Sequence, residues 1–242
     1  MKYENVTEAV FLERPNRFIA YCDLDGERVK CHVPNTGRCR ELFIPGTKVI
    51  LSKCPPEKMG NRKTEYTVIS VYKGERLINI DSQSPNTLAF EALKNGTIYG
   101  DSTFTCLERE KTFDKSRFDI YYERLECCDI IGKGFIEVKG VTLERDGNVY
   151  FPDAPTVRGE KHLRELIKAT EEGYEAAILF IVQMDDVDTF FPNYEMHKGF
   201  AEALRDCYEA GVDILCYSCH VIPSDVTVKE KVKVCDLLEL PI

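Results

Sequence analysis

Ala176–Val182 reads Ala-Ala-Ile-Leu-Phe-Ile-Val, the longest unbroken apolar run in the chain. It is far too short to span a bilayer and too uniform for a strand with one wet face. A strand of this kind must be covered on both sides, and helices are the usual cover in a parallel sheet. The flanking sequence supplies them. Glu160–Glu172 places Leu163, Leu166 and Ile167 on one helical face and stops at Gly173. Tyr194–Ala210 reads as a second long helix ended by Gly211, and Asp213–Val221 as another buried strand. Upstream, Ser84-Pro85-Asn86 opens a helix that continues through Leu88, Ala92 and Leu93 and ends at Asn95-Gly96. Strands fit Phe104–Glu108, Arg117–Glu123 and Phe135–Leu143. The order predicts an α/β sheet with helices on both faces over residues 83–242.

Residues 1–82 follow a different period. Strands are expected at Val6–Glu13, Arg17–Leu24, Glu27–Val33, Lys48–Lys53 and Glu65–Tyr72, with Asp25-Gly26 as a tight hairpin turn. Five short strands in about seventy residues suit a small barrel of the oligonucleotide-binding (OB-fold) type. The 242 residues are 43% apolar and 30% charged, ordinary for a soluble globular protein. Met1–Asn5 leads into no apolar stretch of the signal-peptide type, and the eleven cysteines are odd in number. Reduced thiols, a cytoplasmic location and no membrane partner are therefore expected.

The net charge of −9 argues against a simple polycationic nucleic-acid binder. It is unevenly spread. Residues 1–80 carry 14 basic against 10 acidic side chains, and residues 81–242 carry 18 against 31. A basic N-terminal part suits phosphates and an acidic C-terminal part suits a cation.

Asp119, in Phe118-Asp119-Ile120, and Glu137-Val138-Lys139 are the residues that carry chemistry. Side chains alternate along a strand, so Glu137 and Lys139 share one face while Ile136 and Val138 point into core. If the two strands pair, Asp119 can meet Glu137, and two carboxylates can hold a hard cation beside an ammonium group. Mg²⁺ or Mn²⁺ there would neutralise phosphoryl oxygens and lower the pKa of a bound water. Glu91, on the entering helix, is a candidate third carboxylate, and Gln183, ending the central strand, is a candidate contact to the nucleophile or the backbone. Surface charge at strand ends is the competing reading of the same residues.

Phe151–Leu163 forms a loop entering a helix that Thr156 or Gly159 can cap. Free N–H groups at such an end attract anions, and Arg158, Lys161 and His162 stand there as a candidate phosphate site. On the barrel, Arg14, Arg17, Asn35, Arg38, Arg62 and Lys63 are candidate nucleic-acid contacts, with Phe18 or Tyr66 available for base stacking.

The chain resembles the sugar fermentation stimulation protein A family over nearly its full length. The resemblance runs in order through His32-Val33-Pro34-Asn35-Thr36-Gly37-Arg38, Arg62-Lys63-Thr64 and Ile80-Asp81-Ser82. It continues through Asn86-Thr87-Leu88-Ala89, Ser116-Arg117-Phe118-Asp119 and Glu137-Val138-Lys139. It ends with Phe151-Pro152-Asp153-Ala154, Arg158-Gly159-Glu160-Lys161-His162-Leu163 and Phe180-Ile181-Val182-Gln183. It implies an N-terminal OB-type barrel over 1–82 and a PD-(D/E)xK restriction-endonuclease-like α/β domain over 83–242. It also implies DNA binding linked to the regulation of sugar use; that no recognition helix is evident in the sequence predicts that such binding is only weakly sequence-selective. Gly140 follows the lysine where the family more often has a small polar residue.

Cys216-Tyr217-Ser218-Cys219-His220 matches a haem-attachment pattern, but a strand turns its two cysteines to opposite faces. Cys127-Cys128 is likewise not a metal pair on spacing. Two rivals stand against a metal-dependent nuclease. One is a DNA-binding regulator with an inactive nuclease fold; the other is an enzyme of phosphorylated sugars held at Arg158 and Lys161. Self-association is compatible with the sequence.

Overall fold

β1 (Val6–Asn16), β2 (Ile19–Leu24), β3 (Glu27–His32), β4 (Lys48–Lys53) and β5 (Tyr66–Lys73) lie in the order β3-β2-β1-β4-β5, and β3 also pairs in parallel with β5. The last pairing closes a five-stranded barrel, and β6 (Arg76–Asn79) continues from β5 as a hairpin. Asp25 and Gly26 both have positive φ (54° and 87°), as a two-residue hairpin between right-twisted strands requires. The barrel is filled by Phe11, Ala20, Cys22, Cys31, Val49, Leu51, Val68 and Val71, all buried. The structure is a computed structural model that describes residues 1–35, 37–100, 103–114, 116–126 and 129–240, with backbone alone for Lys58, Glu126 and residues 129–131. The Cys127-Cys128 pair lies outside the described residues.

The remainder begins with α1 (Ser84–Lys94), then β7 (Thr103–Phe113), β8 (Ser116–Glu126) and β9 (Asp129–Val141). A small hairpin of β10 (Leu143–Arg145) and β11 (Asn148–Phe151) precedes α2 (Val157–Glu171) and β12 (Glu175–Val182). The chain closes with β13 (Thr189–Pro192), α3 (Lys198–Glu209), β14 (Asp213–Ile222), β15 (Asp225–Lys231) and β16 (Lys233–Val234). The main sheet has the order β15-β14-β12-β9-β8-β7. β12 is parallel to both neighbours, β9 and β14, so its apolar run is the centre of the sheet.

Its two faces enter different layers. Ala177, Leu179 and Ile181 pack with Leu88, Ala89 and Leu93 of α1. Ile178, Phe180 and Val182 pack with Leu163, Leu166 and Ala169 of α2. Burying each of the larger of these side chains contributes about 1.5–3 kcal/mol relative to exposure. Cys216 and Cys219 fall in opposite layers, as the strand period requires. No helix among the described residues is long and apolar enough to cross a membrane.

Several elements differ from the sequence reading, among them β6 and β15, which it did not include. α3 starts at Lys198, because residues 194–197 form a turn on Asn193. The Asn193 carbonyl accepts from Met196 and His197 at 3.0 Å each, and its buried amide donates to Pro152 O at 2.9 Å. The second sheet, β10-β11-β13-β16, was not expected at all. Its hairpin turns at Asp146-Gly147, with φ of 50° and 85°, the same signal that marks Asp25-Gly26.

Candidate active site

β8 and β9 pair antiparallel from Glu126 opposite Asp129 to Ile120 opposite Ile136, and there the ladder stops. One step beyond, the Val138 N–H donates instead to Asp119 Oδ2 at 2.8 Å. Asn86 of α1 donates to the other carboxylate oxygen, Oδ1, at 2.7 Å. Asp119 is thus fixed by main chain on one side and helix on the other, at the point where two strands separate.

The alternation expected of β9 is present. Ile136 and Val138 enter the α1 layer. Glu137 and Lys139 turn toward α2, with Lys139 Nζ 2.5 Å from Glu137 Oε1. His162 of α2 reaches the same oxygen through Nδ1, and its Nε2 accepts from Arg158 Nε at 3.4 Å. This partner pattern assigns the imidazole proton to Nδ1. Glu137 is only 2% exposed. Its second oxygen, Oε2, is buried and has no hydrogen-bond partner.

The electrostatics split the two carboxyls. Burial, and then the Glu137 charge, push Asp119 above the ordinary aspartate value; the Val138 N–H, Lys139 and Asn86 offset this in part. Burial also raises Glu137, but the hydrogen bond from His162, with the charge and hydrogen bond of Lys139, outweighs it and leaves Glu137 below its ordinary value. Glu137 is shifted toward its ionised form, while burial and the Glu137 charge oppose ionisation of Asp119.

Two carboxylates are what the pocket offers. Among the described residues, no three His, Cys, Asp or Glu side chains gather as a metal-holding cluster. Glu91 is not turned to this pair. Its carboxylate is half exposed and accepts from the Met1 amine at 3.2 Å. The reason is helical phase. Asn86 faces Asp119, and five residues further at 100° each places Glu91 about 140° around the helix. A cation here would be held by Asp119 and Glu137, with the Val138 carbonyl and water as further oxygen donors. The unpartnered Oε2 and the crowding of Asp119 against Glu137 fit that donor set.

Gln183 is also corrected. It is buried, and its amide nitrogen lies 2.8 Å from Asn79 Oδ1, 3.0 Å from Asp81 O and 3.0 Å from Ser84 Oγ. It ties the barrel to the start of α1 and has no donor left for a nucleophile. Gly140 explains itself beside it. A Cβ there would sit 2.6 Å from Gln183 Oε1 and 2.7 Å from Pro85 Cγ, so with these two neighbours in place a side chain would force them to shift.

The α2 entrance partly matches expectation. Thr156 is the cap, accepting from the Gly159 N–H at 3.0 Å. Arg158 and Lys161 are exposed, with Lys161 3.5 Å from Glu165. His162 does not join them at the surface. It is 7% exposed and committed to Glu137, because it shares the buried helical face of Leu166 and Ala169.

Of the barrel residues, Arg17, Arg38 and Lys63 are exposed. Arg62 is spent on Thr64 and Thr67, and Asn35 on the Ile80 carbonyl and the Gly37 N–H, at 2.9 and 2.7 Å. Arg14 is likewise a structural residue. It donates to the carbonyls of Arg38, Arg17, Asn35 and Gly37 at 2.6, 2.7, 2.9 and 3.0 Å.

Known proteins are similar to this chain. The "Sugar fermentation stimulation protein RE domain" profile matches residues 83–225, and the "SfsA N-terminal OB domain" profile matches residues 12–80. A sugar fermentation stimulation protein homolog from Alkaliphilus oremlandii is 47% identical over 97% of this chain and 98% of its own length. One from Clostridium novyi is 50% identical over 97% and 99%. A solved structure of SfsA from Pyrococcus furiosus in complex with Ca²⁺ superposes with a TM-score of 0.84, at 26% identity, over 97% of each chain.

Proposed function

The chain belongs to the sugar fermentation stimulation protein family, and from that premise we propose that it binds nucleic acid, DNA first, and hydrolyses phosphodiesters at a cation-dependent site formed by Asp119, Glu137 and Lys139. The observation that carries this reading is the buried Glu137 Oε2, an anionic oxygen with no donor, beside an aspartate whose ionisation is opposed by the same charge. A buried carboxylate oxygen left without a donor is costly, and a ligand that supplies the partner accounts for keeping it. The Ca²⁺ held by the Pyrococcus furiosus relative supports a hard divalent cation as that ligand. When bound, Mg²⁺ or Mn²⁺ supplies charge neutralisation and a more acidic water.

The chain's own residues do the rest. Asp119 is aimed by the Val138 N–H and Asn86. His162 donates to Glu137 Oε1 and leaves Oε2 without a donor from the protein. Lys139 keeps its ammonium at the rim, 17% exposed, where it can donate to a phosphoryl oxygen or orient water. Arg158 and Lys161 at the α2 entrance supply positive charge for the flanking phosphates.

A second reading has its own observation: with Glu91 turned away, only two acidic side chains remain, which favours a binder that retains the fold without turnover. One experiment separates them. Wild type and Glu137→Ala are offered single- and double-stranded DNA and RNA with Mg²⁺ or Mn²⁺, and Mn²⁺ binding is followed by calorimetry. Cleavage by wild type, lost with Mn²⁺ binding in the variant, supports the enzyme. Nucleic-acid binding with no cleavage of any substrate supports the regulator.

A further inference from the structure

The end of the barrel carries a cleft that the site above does not use. The last residues of β1 and the segment 38–45 enclose about 470 Å³. Arg14, Arg17, Arg38 and Arg40 line it, with Phe43 and Pro45 as an apolar wall. The one acid on the lining, Glu13, is already paired outward with Arg28. Among the described residues, Arg17, Arg38 and Arg40 pair with no carboxylate. That is notable in a chain of net charge −9, where acids outnumber bases. Arg40 drew no attention in the sequence.

Arg14 builds this cleft. Its guanidinium lies over the Phe43 ring at 4.6 Å and clasps the backbones of both arginine-bearing loops, at Arg17 and at 35–38. Arg17 and Arg38 are thereby mounted on fixed main chain with their charges free, which lowers the ordering cost of binding an anion. The Arg14 Nε is buried and unpartnered. Asn35 and Gly37 also line a narrow cleft of 140 Å³, together with Gly140 of β9 and Thr142 just beyond it. Gly140 directly follows Lys139. Their side-chain positions leave β9 on opposite faces, so the narrow cleft meets the face opposite Lys139; Gly37 on its wall precedes Arg38 of the arginine cleft, and Asp153 lines it.

Resting on the nucleic-acid reading above, we infer that this cleft binds one nucleoside-phosphate unit of a single strand. The guanidinium fork matches a phosphate, and the exposed Phe18 (53%) and Ile44 (56%), next in sequence to the lining residues Arg17 and Phe43, offer apolar surface for a base. The volume is that of a pocket for one drug-sized ligand, which a nucleotide is and a duplex is not. The Arg14 clasp makes Arg14 a positioning residue; Arg17, Arg38 and Arg40 are the contacts.

The test is fluorescence anisotropy in EDTA, which removes the cation-dependent site from the measurement. The probes are a labelled short oligothymidylate and a duplex of the same length, with thymidine monophosphate and glucose 6-phosphate as competitors. The Arg17→Ala/Arg40→Ala variant should bind the single strand about tenfold or more weakly, since each contact is a charge-assisted hydrogen bond. Its slope of log affinity against log salt should fall by about 1.4, the value for two phosphates on a single strand. Duplex affinity should change less. Both side chains are exposed and unpartnered, so the melting temperature should hold; if it does not, Arg40→Glu alone must show the same direction. Single-strand binding unchanged in the variant overturns the cleft while leaving nucleic-acid binding standing. No binding of any strand by wild type sinks both readings. Glucose 6-phosphate competing as well as the nucleotide, or a larger loss for duplex than for single strand, overturns the assigned ligand.

Discussion

Truncating His162 should destabilise the cation-free protein in a way that depends on one nitrogen. In His162→Ala, Glu137 Oε1 loses one of its two donors while remaining buried. A hydrogen bond to a charged group is worth about 1.5–3 kcal/mol. The imidazole also meets the Phe118 ring edge to face, with centroids 6.5 Å apart, which adds about 0.5–1.5 kcal/mol. The sum predicts a loss of about 2–4.5 kcal/mol. His162→Asn keeps an amide N–H where Nδ1 stands, and should therefore lose only the ring contact, about 1 kcal/mol. Urea unfolding in EDTA followed by circular dichroism reads both values, provided the denaturant slopes agree. Added Mn²⁺ should raise the midpoint of His162→Asn nearly as much as that of wild type, and of His162→Ala less, because Glu137 is then free to turn. Equal losses in the two variants, or a loss below about 1 kcal/mol in His162→Ala, would refute the donor role and leave His162 as packing.

The two carboxyls predict opposite pH trends. Glu137 lies below its ordinary 4.5, so its contribution is present above that pH and is lost as pH falls through its lowered value. Asp119 lies above its ordinary 3.8, so its contribution is present below that pH and is lost as pH rises through its raised value. In EDTA, Asp119→Asn should then be more stable than wild type at neutral pH, with the advantage vanishing toward pH 3.8; thermal melts across pH check it, and a less stable variant at neutral pH would contradict it. Gln183→Leu should cost about 2–4 kcal/mol in urea unfolding, because it strips the donor from buried acceptors on Asn79, Asp81 and Ser84. Its Mn²⁺ affinity should stay within about twofold of wild type, and a selective loss of metal binding would restore Gln183 to the site. Gly140→Ser should lower stability by about 1–3 kcal/mol by overpacking against Gln183 and Pro85, read by the same melts.

The sheet was legible because its centre is unambiguous: a run apolar on both faces admits one position, and the glycines at 173 and 211 stop the helices beside it. The trio was legible for the same reason of period, since alternation alone puts Glu137 and Lys139 together. What failed were matters of partner and phase. The second sheet rests on pairings such as Val149 with Phe190, which no local pattern announces, although Asp146-Gly147 did mark its hairpin. Helical phase was available for Glu91 and His162: the first lies off the Asn86 face, and the second falls with Leu166 and Ala169. Arginines were the hardest. Their number in residues 1–80 suggested phosphates, but only the fold reveals that Arg14 and Arg62 serve protein oxygens while Arg40 is free.

The parting of β8 and β9 gives the molecule a built-in probe. The Val138 amide is held by a titratable side chain instead of a strand carbonyl. Its proton should therefore sense whatever happens to Asp119, while the amides that stay in the ladder remain silent. In a ¹⁵N–¹H spectrum, the Val138 resonance would move with protonation of Asp119 and again with arrival of a cation. Its hydrogen-exchange rate would report how tightly the strands are pinned at their fork. Occupancy of the site could be followed from one backbone signal, with no substrate and no cleavage needed.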